Sequence, residues 1–245
     1  MSTRHLSYVE TGRAAPSREM VLRLADRLEV PLRERNALLV AAGYAPMYRQ
    51  RALDDPALAA ARRAVELVLE GHSPYPALAI DRHWNLVAAN AVVPLLLAGA
   101  SPELLQAPIN VLRLSLHPDG LAPRIANLAQ WRAHLLERLQ QQIAATGDAT
   151  LQSLHDELAA YPAPANVHES PAGAAGGELT GVVVPFQLAT PHGVLSFIST
   201  TTIFGTPVDV TLQELAVESF FPADARTAAA LADIAAQTKD DSTRD

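Results

Sequence analysis

Before residue 45, apolar positions recur with a helical period over three short stretches, and capping chemistry bounds each of them. The first is expected over Thr3–Glu10, with Ser2 as N-cap and Gly12 free to take the left-handed conformation that closes it. Ser17 caps a second helix after Pro16, Glu19 sits in its first turn, and Val21, Leu24, Ala25 and Leu28 form its stripe. Val30-Pro31 ends it. A third helix runs from Leu32 to Ala42, with Leu38, Leu39 and Ala42 on one face. Gly43 to Pro56 reads as a linker, and 57–70 as a helix striped by Leu58, Ala61, Val65, Val68 and Leu69.

The period then changes to two. Residues 77–80 and 86–89 flank the polar turn Asp81-Arg82-His83-Trp84-Asn85, which predicts a hairpin. Helices are expected at about 91–98, 123–146 and 149–160, with Pro94 kinking or shortening the first. Tyr161 to Gly177 is a loop rich in Pro, Ala and Gly. A second hairpin, 182–188 and 194–200, turns at Thr190-Pro191-His192-Gly193. Two more helical pieces, about 211–219 and 224–237, precede a charged tail that is expected to fray. Four strands interspersed with helices make an α+β fold.

Composition narrows the function classes. The 245 residues include no cysteine, which removes disulfide frameworks and thiolate metal sites. No apolar run approaches the roughly 18 residues of a membrane span. The first residues lack a signal-peptide core, so the cytoplasm is the expected compartment and no membrane partner is expected. The net charge of −7 is unevenly spread. Residues 1–51 carry nine arginines against five carboxylates, a net of +4 that leaves −11 for the rest. A basic module joined to an acidic one fits this pattern, and a basic patch suits phosphates. A surplus of four arginines is equally ordinary on solvated helix faces.

Catalytic chemistry finds little support. The eight histidines are scattered. His155-Asp156-Glu157 and His168-Glu169 are sequence neighbours, which diverge on a helix. No serine lies in a G-x-S-x-G elbow, and the glycines of Gly173–Gly177 precede a strand, where no phosphate loop belongs. No enzyme, metal or cofactor is expected; only a converging pair such as Asp209 with His192 would revive catalysis. A pocket is better supported. Trp84 and Asn90 bracket one strand, while Phe186, Phe197, Thr200, Thr202 and Phe204 lie on or beside the second hairpin. Trp131 and Leu135 stand one turn apart on the long helix. Apolar walls with a few polar groups are what small-molecule sites need. Taken singly, each of these residues is more often core.

Two stretches resemble known families. Ser2-Thr3-Arg4-His5-Leu6-Ser7-Tyr8-Val9-Glu10-Thr11-Gly12-Arg13, then Pro16-Ser17, Leu24-Ala25 and Leu28, resemble the second half of a phage-repressor-type helix-turn-helix domain. Further on come Ala79-Ile80-Asp81-Arg82, Trp84-Asn85-Leu86-Val87, Asn90, Asn110, Leu112-Arg113-Leu114, Leu116-His117-Pro118, Gly120, Ile125 and Asn127-Leu128. Ser199 to Thr202, Phe204 to Pro207, Asp209 to Leu212 and Glu218 to Asp224 complete the series. These are similar to the PAS-like ligand-binding domain of MmyB-like transcription regulators.

The resemblance implies a bacterial regulator that joins a partial all-helical DNA-binding head to a PAS-like antiparallel-sheet domain with flanking helices. The expected organisation is a head over 1–45, a linker and coupling helix over 46–72, a ligand-binding domain over 73–236 and a disordered tail over 237–245. By position, Thr3, Arg4 and Tyr8 would contact base edges, while His5 and Arg13 would face phosphates; arginine fits guanine bidentately. Trp84, Asn90, Trp131, Phe186, Phe197, Thr200 and Phe204 would contact a small apolar ligand such as a fatty acid. Promoter DNA and a second copy of the chain are the expected partners, the homodimer presenting two recognition helices about 34 Å apart. A head of this type has two helices ahead of the recognition helix, whereas the sequence as given starts at that helix. The expectation is that Met1 is a misassigned start. The alternative is a truncated stand-alone module that binds a small molecule or a partner but not DNA.

Overall fold

The computed structural model describes residues 3–162, 183–205, 207 and 209–242. The three helices read before residue 45 form as α1 (Thr3–Glu10), α2 (Arg18–Arg27) and α3 (Leu32–Ala41). Ser17 Oγ accepts the Met20 N–H at 3.2 Å at the start of α2, and Gly12 takes a φ of +68° just past α1. Ser2, the expected cap of α1, lies outside the described residues. A single 3₁₀ turn over Pro56–Leu58, capped by Asp55, leads into α4 (Ala59–Gly71).

The first hairpin is β1 (Ala77–Ile80) and β2 (Leu86–Ala89). After it come α5 (Val92–Leu96), α6 (Val111–Leu116), α7 (Leu128–Thr146) and α8 (Ala149–Ala160). The second hairpin pairs β3 (Phe186–Thr190) with β4 (Gly193–Ile203). The chain ends with α9 (Val210–Gln213), β5 (Ala216–Pro222) and α10 (Ala225–Ser242). The strands form one antiparallel sheet in the order β2-β1-β5-β4-β3, so the fold is α+β as expected.

Several elements differ from the sequence reading: α7 begins at Leu128 after a separate 3₁₀ turn over Ala122–Arg124 rather than near 123, and β3 begins at Phe186 rather than at 182. The expected helix over 211–219 stops after one turn at α9, and its second half becomes a fifth strand. Val217, Ser219 and Phe221 alternate with Glu218 and Phe220, and a central position between β1 and β4 rewards that period with hydrogen bonds on both edges. α6 was not expected. Asn110 Oδ1 accepts the Arg113 N–H at 3.1 Å, which starts a helix that His117-Pro118 soon ends. α10 runs on to Ser242, past the expected frayed start near 237, because its early turns are rich in alanine. Val182, residues 163–177 of the expected loop, His168-Glu169 and Gly173–Gly177 lie outside the described residues.

The described residues form two units, one made of those up to Arg62 with Ile203–Leu215 and one of Arg63–Thr202 with those from Ala216 on. In the first, α2 and α3 bury Met20, Val21, Ala25, Leu32 and Leu39. The connection from β4 to β5 is part of this unit. Its Asp209, fully buried, pairs with Arg51 at 3.0 Å and accepts the Thr211 N–H at 3.0 Å. Glu214 receives both arms of Arg33, at 2.6 and 2.8 Å, and Gln213 Oε1 accepts the Leu32 N–H at 2.5 Å. In the second unit, one sheet face and the helices α5 to α8 enclose a continuous apolar core around Leu139, Leu158, Leu188, Leu195 and Phe197. α7 and α8 form a helical hairpin. Gly147, at φ +64°, closes α7, and Asp148 Oδ1 caps α8 by accepting the Thr150 N–H at 2.8 Å.

Candidate ligand-binding site

Within the second unit the core is not filled. A cavity of about 110 Å³ remains between the sheet and α5, α6 and α7. Roughly 10–15 Å³ is enough to admit one water, so this space holds several. The sheet supplies its floor. Leu78 on β1 stands directly opposite Glu218 on β5, and Phe220 follows two residues on, so period-two alternation sends both β5 side chains to one face. Phe186 on β3 faces Phe197 on β4 across the ladder, with ring centroids 6.0 Å apart. The roof comes from Val93, Leu96, Val111, Leu112, Leu114 and Ser115, and from Trp131, Leu135 and Arg138 of α7.

Trp84 fixes one wall. It sits in the β1–β2 turn with φ +67°, a backbone state that costs a non-glycine residue about 1–2 kcal/mol. The turn enforces it. Asp81 Oδ1 accepts the N–H groups of His83 and Asn85 at 2.8 and 2.9 Å, and Asp81 O accepts the Trp84 N–H at 3.0 Å. The side chain is clamped as well. Its indole N–H donates to Gln142 Oε1 at 2.9 Å, and the Arg138 guanidinium lies over the ring, 4.6 Å from its centroid. Trp131 is held in the same way, its indole N–H donating to Ser115 Oγ at 3.0 Å. Both tryptophans of the chain therefore line the cavity with locked rings.

The walls carry two ionic side chains. Arg138 Nη2 donates to Glu218 Oε1 at 2.5 Å and to Thr201 Oγ1 at 2.6 Å, and the Thr201 hydroxyl donates to the same Glu218 oxygen at 2.8 Å. Glu218 is 6 % exposed and Arg138 29 %. His134, one turn earlier on α7, is held below its ordinary pKa by burial first and by the Arg138 charge second. At the turn above, Asp148 takes hydrogen bonds from Arg82 and His83 and caps α8. Burial alone would raise its pKa, but these partners pull it well below the ordinary value of 3.8.

Of the sequence-predicted contacts, Trp84, Trp131, Phe186 and Phe197 meet at the cavity; three others do not. Asn90 is a backbone clamp. Its Oδ1 accepts the Ala77 N–H at 3.3 Å, and its Nδ2 donates to Leu69 O and Tyr75 O at 3.2 and 2.7 Å. Thr200 is exposed, and strand parity sets it on the face opposite Phe197 and Thr201. Phe204 lies beyond the end of β4, in the connection that belongs to the first unit. Arg138 and Glu218 were missed. The signal was present on α7, where Trp131, Leu135, Arg138 and Gln142 share a helical stripe and a charge interrupts its apolar run.

The model of the MmyB-like transcription regulator ligand binding domain matches residues 61–234, well over half of the chain. The chain belongs to that family. A search of curated proteins finds no match to it. In this MmyB-like regulator the cavity lies wholly within the matched span.

The amino-terminal candidates stand on or just after α1. Thr3, Arg4, His5 and Arg13 are exposed and Tyr8 is half-buried. Arg4 Nε donates to the Tyr8 hydroxyl at 3.2 Å, with the guanidinium 5.5 Å from the ring centroid. α1 buries none of its residues, Leu6 and Val9 included. Of the pair raised for catalysis, Asp209 is bound to Arg51 and His192 is exposed in the β3–β4 turn. Among the described residues no three of His, Asp and Glu gather closely enough to hold a metal, and no helix is long and apolar enough to cross a membrane.

Proposed function

We propose that this MmyB-like chain is a DNA-binding regulator whose cavity senses a small apolar ligand, a long-chain acid or a comparable apolar metabolite. The observation that carries this reading is the cavity itself, apolar on nearly every wall and framed by two locked tryptophans. Unfilled space of this size in a core forfeits packing, and a sequence that keeps it open gains when a ligand fills it. DNA binding rests on the basic amino-terminal residues and on the likeness of α1 to a recognition helix, with Thr3, Arg4 and Tyr8 toward bases and His5 and Arg13 toward phosphates. Two copies of the chain would present two such helices to adjacent half-sites.

Ligand sensing needs an arrangement that the ligand favours over another. β4 and β5 supply Phe197, Glu218 and Phe220 to the cavity, and the segment joining these strands packs with α3 through Arg33–Glu214 and Leu32–Gln213. A change in the spacing of β4 and β5 would thus be carried by the chain itself into the unit that holds α1 to α3. No catalytic role is assigned.

A second reading, a ligand-binding module without DNA binding, is favoured by one observation: α1 has no buried side chain to brace it. Binding of the chain to its own promoter fragment, at two salt concentrations and with or without an apolar ligand, separates the two. The regulator reading expects affinity that falls steeply with salt and shifts when ligand is added. Ligand binding with no DNA binding under any condition leaves the module.

A further inference from the structure

We infer that the ligand's polar head is un-ionised: an apolar chain ending in a hydroxyl, an amide or a protonated carboxyl group, read jointly by Arg138 and Glu218. This rests on the reading of the cavity as the ligand site. Arg138 and Glu218 stand in its lining, and they already neutralise each other at 2.5 Å. An incoming carboxylate at the guanidinium would meet the charge of Glu218, 6 % exposed, where water screens the repulsion poorly. Arg138 has no easy way to turn aside, since the Trp84 ring lies 4.6 Å from its guanidinium carbon and Thr201 holds Nη2.

The atoms left over define the head group. Among the described residues all hydrogen bonds of the guanidinium leave from Nη2, and those to the Glu218 carboxylate arrive at Oε1. Nε and Nη1 of Arg138 remain as donors and Oε2 of Glu218 as an acceptor. No sealed side-chain nitrogen or oxygen in the described residues lacks a partner. The spare atoms are therefore open, and for a carboxylate as buried as Glu218 the opening is the cavity it lines. Open donors on Arg138 and an open acceptor on Glu218, both in the cavity lining, match a group that both accepts and donates, which an alcohol, an amide or a protonated acid does and a carboxylate does not.

The test uses the full chain and its own tryptophans, both in the cavity wall, titrated at neutral pH with decanol, decanamide and decanoate. The alcohol and the amide are expected to bind about tenfold or more tighter than the carboxylate, the worth of one hydrogen bond to a charged group. Glu218→Gln, which removes the charge and keeps the shape, is expected to bring decanoate level with the amide. Tightest binding of decanoate to the wild type overturns the inference, as does an unchanged order in the variant. Equal affinity for all three overturns it while leaving the cavity as the ligand site. No change in emission with any probe removes both readings together. The order measured on the wild type decides the matter even where the variant does not fold.

Discussion

Trp84 shows how much one residue is asked to do. Its backbone stays in the left-handed region because Asp81 ties the turn, and its ring is clamped by Gln142 and Arg138. Trp84→Phe keeps an aromatic wall but loses the indole N–H; denaturant melts are expected to show a loss of about 1–2 kcal/mol. Asn90→Ala orphans one buried N–H and two carbonyls. It should cost about 2–3 kcal/mol, while the folded fraction keeps wild-type affinity for an apolar probe; a selective loss of affinity would return Asn90 to the ligand site. Asp148 gives a pH signature. Its folded pKa is depressed, so its stabilisation is complete above the ordinary value of 3.8 and is lost as pH falls below it. Acid melts of Asp148→Asn should therefore show a flatter decline in stability below about pH 4 than the wild type. The aromatic wall residues were legible in the sequence because apolar rings on a strand or helix face go inward. Asn90 was not, since a polar residue beside a strand looks the same whether it holds a ligand or a backbone.

At the level of elements, period and caps carried the reading where they agreed, and the errors fell where they competed. The first hairpin, the turn of the second, α2 and α8 stand where alternation or capping residues put them, whereas α7 and β3 start later than their periods suggested. The stretch from Ala216 to Phe221 contains good helix and good strand formers alike, and only its place between β1 and β4, invisible in one dimension, decides for a strand. That misreading also hid Glu218 and Phe220, whose shared face follows from the strand period alone. The β4–β5 connection carries a separate expectation. Arg51→Ala strands the buried carboxylate of Asp209 and should cost about 3–5 kcal/mol in the unit holding α2 and α3. Hydrogen exchange should show faster opening of α2 and α3 with the α7–α8 hairpin unchanged. Uniform protection across α2 and α3 in that variant would mean that Asp209 finds another partner.

For the molecule as a whole, a charge asymmetry and a family likeness are read along the chain, and the fold adds the empty space. The α+β class was readable from the spacing of strands and helices. The cavity was not, because it is a difference between the volume that the sheet and helices enclose and the volume that the side chains fill. Its central role is tested most directly by the melting temperature of the full chain, stripped of lipid and then saturated with a medium-chain alcohol or acid. At a hundredfold excess over Kd, binding to the folded state adds about 2.7 kcal/mol, a rise of roughly 5–10 °C for a chain of this size. Leu135→Phe, which places a larger side chain into the cavity from α7, should hold or raise the unliganded melting temperature and abolish the shift. A wild type that melts at one temperature with and without every such ligand would contradict the account, and the cavity would then be unfilled core.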